Sequence, residues 1–76
     1  MRIVVKAPLM ADKMKDLLDG NTFKGVQYAF VEKTGMEMTF EASGEGIESL
    51  DPAAIAKSAI KDTEFGKGIF FSVVEK

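Results

Sequence analysis

Two neighbouring runs in the middle of the chain alternate in hydropathy, and they constrain the fold more than any other feature. Gly25 to Lys33, "GVQYAFVEK", puts Val26, Tyr28 and Phe30 on one side. Met36 to Ala42, "MEMTFEA", turns Met36, Met38, Phe40 and Ala42 one way and Glu37, Thr39 and Glu41 the other. A period of two marks a strand with one buried and one solvated face. Between the runs, Gly35 can take the positive φ that a short hairpin loop requires. The pair reads as an antiparallel hairpin that needs a covering layer on one side only.

The flanking segments supply that layer. Arg2 to Lys6, "RIVVK", is β-branched and is ended by Pro8, so it reads as a first strand. Leu9 to Asp19 carries Met10, Met14, Leu17 and Leu18 at helical spacing, with Gly20 where a C-terminal glycine cap belongs. Asp51-Pro52 starts a second helix, with aspartate as N-cap and proline as its first residue. Ile55, Ala56, Ala59 and Ile60 form the apolar face of that helix, which is expected to run to about Thr63. Gly68 to Glu75, "GIFFSVVE", reads as the last strand, guarded by Lys67, Glu75 and Lys76.

The order β-α-β-β-α-β, with right-handed crossovers, predicts a single α+β domain over residues 1–76. The expected fold is ferredoxin-like: a four-stranded antiparallel sheet with two helices on one face. Its helix-facing side would carry Ile3, Val5, Val26, Tyr28, Phe30, Met36, Met38, Phe40, Ile69, Phe71 and Val73. No family motif stands out in the residues.

The open side of such a sheet holds the candidate functional residues. The first and third strands are neighbours in this arrangement, so Arg2 and Lys6 are expected beside Glu37 and Glu41 as a polar patch. Val4, Phe70 and Val74 are expected to form an apolar strip, with Val31 as a further interface candidate. The last strand is expected at a sheet edge, where it could pair with a second copy.

Composition narrows the chemistry. The chain has 76 residues and neither cysteine nor histidine. Disulfides, thiolate and imidazole catalysis are therefore excluded, and a zinc site is not expected, since carboxylates alone rarely hold zinc. A chain this short holds a thin stability margin, and oligomerisation is a common remedy. No metal, cofactor or catalytic residue is expected.

The net charge of −2 is the wrong sign for a nucleic-acid binder, and the central strands offer no outward aromatic on which bases could stack. No apolar stretch is long enough to span a membrane, and the N-terminal run is too short for a signal peptide, so a cytoplasmic location is expected.

Three other features read as solvated surface. Asp12, Asp16 and Asp19 form an acidic stripe on the first helix, Lys57 and Lys61 a basic one on the second, and Lys67 lies in a glycine turn. The stretch "SGEGIESLDP" resembles a phosphate loop only in its glycines. Glu45, Glu48 and Asp51 surround the place where the anion would be, and Pro52 removes a donor.

Two functional readings follow. The favoured one is a small non-catalytic interaction module that forms a homo-oligomer or docks a small protein partner. The alternative is a small enzyme or enzyme subunit using carboxylate and lysine chemistry at Arg2, Lys6, Glu37 and Glu41.

Overall fold

The hairpin is present, with each strand displaced one residue along the chain from its expected bounds. In the structure, a computed structural model describing residues 1–76, β1 spans Arg2–Lys6, β3 Val26–Thr34 and β4 Glu37–Ser43. Gly35 (φ 61) opens the two-residue turn between β3 and β4. Met36 falls in that turn and is exposed, so it leaves the expected core. A register shift between Phe30 and Glu32 leaves Val31 as a bulge, and a bulge bends its strand.

The expected four-stranded ferredoxin-like sheet with two helices is not what forms. The sheet has five strands in the order β2-β3-β4-β1-β5, all pairs antiparallel, and curls into a half-barrel with three helices. The extra strand β2 is only Thr22–Phe23. It turns back at Lys24 (φ 50) and Gly25 (φ 84), and two consecutive positive φ values make a tight hairpin turn of type I′. Gly25 therefore belongs to a turn, not to the start of a strand.

Helix α1 covers Ala11–Leu18 and is followed by Gly20 at φ 77, the left-handed position that suits glycine. Helix α2 covers Pro52–Lys61, with the Asp51 carboxylate accepting from the Ala54 N–H at 3.2 Å. Helix α3, Glu64–Lys67, is a single turn capped by Thr63, whose hydroxyl accepts from the Gly66 N–H at 3.1 Å. It occupies residues expected to be a turn and delays the last strand. β5 is consequently only Ser72–Glu75.

One apolar layer holds these pieces together. Ile3, Val5, Val26, Tyr28, Met38, Phe40 and Ala42 of the sheet meet Met14 and Leu18 of α1 and Ala53, Ala56 and Ile60 of α2. Met10 is left out: it is exposed and takes a left-handed conformation (φ 62) ahead of α1. Small alanines let α2 lie close to the sheet, and the fully buried Tyr28 fixes where it lies. The Tyr28 hydroxyl donates to the Pro52 carbonyl at 2.7 Å, at the first turn of α2.

The glycine-rich connection is structural. A Cβ on Gly44 would lie 2.3 Å from the Gly25 carbonyl oxygen, so Gly44 lets the chain pass the β2–β3 turn. Gly46 (φ 73) then opens a 3-10 turn over Ile47–Ser49, whose Ile47 packs against the core, as does Leu50.

Burial pushes the Tyr28 hydroxyl up from its ordinary 10.0 to about 12, helped by the nearby Asp51 charge and opposed by the Ala56 backbone N–H. The stabilisation is fully present below pH 10 and is lost as pH rises toward 12. It amounts to roughly 2–3 kcal/mol. Denaturant melts at stepped alkaline pH are expected to show this loss in the parent chain. Tyr28→Phe should remove the alkaline step. It should also cost about 1–2 kcal/mol at neutral pH, because the Pro52 carbonyl loses its partner.

Candidate functional site

The open face of the sheet is built in rows, because cross-strand partners stand directly opposite one another. Lys6 faces Ser72 on β5 and Glu37 on β4. Val4 faces Val74 and Thr39. Arg2 faces Glu41, which in turn faces Ala29. The polar residues expected together are thus aligned, but they form one ion pair rather than two. Arg2 Nε lies 3.6 Å from Glu41 Oε1, whereas Lys6 and Glu37 are aligned without an ion pair.

The strongest partner of Glu41 is one that strand alternation does not show. The Met1 ammonium donates to Glu41 Oε2 at 3.0 Å and to the Ala42 carbonyl at 3.2 Å. That hydrogen bond, with the Met1 and Arg2 charges behind it, holds the Glu41 carboxyl below its ordinary range against a smaller opposing effect of desolvation. A carboxyl held ionised in this way is a poor proton donor near neutral pH. The two surface clefts of the molecule are lined by other residues. The open face therefore offers Arg2, Lys6, Glu37 and Glu41 no enclosure in which to do chemistry.

The apolar candidates separate. Val4 and Val74 are opposite each other, and Val74 is 54% exposed. Val31 lies at the β3 bulge, with β4 and β1 between it and β5. Phe70, 93% exposed, precedes β5. It lines a cleft of about 490 Å³ with Lys57 and Lys61 of α2 and Lys67 of α3. Phe70 therefore belongs to a basic cleft rather than to an apolar strip. Sequence reading missed that grouping because α3 was taken for a turn. Thr63 followed by Glu64 is an N-cap with an acidic first turn, and is the signal that could have revealed it.

The two sheet edges differ. Along β3, the Tyr28 N–H donates to the Asn21 carbonyl at 3.0 Å and the Phe30 N–H to Asp19 Oδ1 at 3.0 Å. Asp19, expected on a solvated acidic stripe, instead closes this edge. Along β5, the Lys76 N–H donates to the Arg2 carbonyl at 2.9 Å, which makes Arg2 and Lys76 a hydrogen-bonded pair. Hydrogen-bonded and non-bonded pairs alternate in an antiparallel ladder, so Val74 and Ser72 bond toward β1 while Val73 and Glu75 direct their backbone groups outward. No strand of the chain pairs with that outer edge, since β5 ends the strand order.

No three carboxylates converge closely enough to hold a metal ion, and no helix is long and apolar enough to cross a membrane. Comparison with known proteins returns no matching family model, curated protein or solved structure.

Titration of the Glu41 side chain by carboxyl-detected NMR is expected to give a midpoint below the ordinary glutamate value. Arg2→Ala should raise it only part of the way, because the Met1 ammonium is the larger cause. A midpoint restored fully by Arg2→Ala would contradict that ranking.

Proposed function

We propose that this chain is a small, non-catalytic, cytoplasmic interaction module that self-associates through the outer edge of β5. The observation that carries the reading is the unequal treatment of the two edges. One is closed by β2, Asn21 and Asp19 over residues 26–30 and is unpaired only beyond the Val31 bulge, whereas β5 presents unpaired backbone groups at Val73 and Glu75. An open edge is a template for another strand, and a second β5 running antiparallel would satisfy both chains at once. Val74, opposite Val4, would then lie beside its symmetry mate on the joined open face and lose exposed apolar surface. A cysteine-free chain of this length gains by such pairing the burial that one small core supplies only thinly.

Light scattering over a concentration series is expected to show the mass rising from one chain toward two. Val73→Pro removes an outward N–H that the monomer does not use, and proline is tolerated at that kind of edge position. The variant should remain monomeric at concentrations where the parent has associated, with a dispersed NMR spectrum showing that it is folded. Should it fail to fold, Val74→Lys supplies the same test, since it places a charge on an exposed edge position. A monomeric parent at millimolar concentration, or folded variants that associate like the parent, would overturn the proposal.

A further inference from the structure

The cleft between α2, α3 and the segment leading into β5 has no place in that association, and its chemistry is specific. Lys57 and Lys61 stand one helical turn apart on α2, and Lys67 ends α3. All three line the cleft, and no carboxylate does. Neither Lys57 nor Lys61 is in an ion pair, and Lys67 makes only a loose one, 3.9 Å from the exposed Glu64. Three lysines thus line one concavity of a chain whose net charge is −2.

Two further features belong to the same cleft. The backbone N–H groups of Ile69 and Phe70, on its wall, make no hydrogen bond within the chain. Phe70 leaves its ring 93% exposed beside the lysines, while Ile69 and Phe71 are half-buried and pack against the core. An exposed ring next to lysines and free amides suits a ligand that has both a flat face and a negative charge. The volume, about 490 Å³, lies within the range of small-molecule sites.

From this we infer that the cleft binds a small organic phosphate bearing a planar ring, of the kind that a nucleoside monophosphate represents. The phosphate is held by Lys57, Lys61 and Lys67 and by the free amides ahead of β5. The ring lies on Phe70. Lysine holds phosphate as a point charge, and aromatic stacking adds affinity without selecting one base over another. The site is independent of the β5 edge, because none of its lysines lies on that strand.

The test is a backbone-amide NMR titration at low salt with adenosine monophosphate, with inorganic phosphate and adenosine run separately. The expected result is saturable shifts concentrated at residues 66–71 and around Lys57 and Lys61. Affinity for adenosine monophosphate should exceed that for either half alone by about tenfold or more, equivalent to about 1.4 kcal/mol. Lys57→Gln with Lys61→Gln should weaken phosphate and adenosine monophosphate alike, and Phe70→Ala should erase the advantage of adenosine monophosphate over phosphate. All three positions are exposed, so the variants should keep the parent spectrum elsewhere. Repeating the titration on monomeric Val73→Pro separates this site from association, since the shifts should persist there. Absence of shifts at 66–71, shifts unaltered by the double lysine variant, or equal affinity for phosphate and adenosine monophosphate would each overturn the inference.

Discussion

The Tyr28 hydroxyl bond to the Pro52 carbonyl joins β3 to the first turn of α2, and much of the architecture depends on that join. With no disulfide to tie helix to sheet, the layers are held by packing and by the few polar contacts that cross between them. Burying a hydroxyl without a partner would cost more than the bond contributes when it is made. The bond therefore selects one placement of α2 over the others that an alanine-rich face would allow. That placement sets where α3 and the approach to β5 must lie, and with them the basic cleft.

The same economy of size shapes the edges. A short sheet cannot hide both of its ends behind helices. At β3 the chain uses its own backbone and the Asp19 carboxylate to satisfy outward N–H groups. At β5 it leaves the outward backbone groups of Val73 and Glu75 unpaired. Shortness and flanking charge limit promiscuous pairing but leave room for a specific, self-complementary one. The open face adds little chemistry of its own: the ion pairs that Glu41 makes with Met1 and Arg2 are solvent-exposed, and water and salt screen such pairs.

Much of this architecture was legible in the residues. Strong alternation identified β3 and β4 and the inward set of Val26, Tyr28, Met38 and Phe40, because a one-residue slip would expose all of them. Asp51-Pro52 and Gly20 marked helix ends because each has a local conformational cause. The errors lie where local chemistry was weaker. Lys24-Gly25 forms a turn usually signalled by asparagine or aspartate, so β2 went unseen and the sheet was taken as four-stranded. Thr63 caps a helix of a single turn, too short to show any periodicity, and its presence moved Phe70 out of the last strand. Contacts between distant segments, such as Met1 with Glu41 and Gly44 with Gly25, carry no pattern in the letters at all.

Residue-resolved amide hydrogen exchange, followed across a range of protein concentrations, tests the unequal edges most directly. The Tyr28 and Phe30 amides should be protected at every concentration, because their acceptors lie within the chain. The Val73 and Glu75 amides should exchange fast when the protein is dilute and gain protection as it associates. If they stay fast at concentrations where the mass has doubled, association uses another surface. If they are already protected in the dilute monomer, the β5 edge is not open and the account of the fold is wrong at its central point.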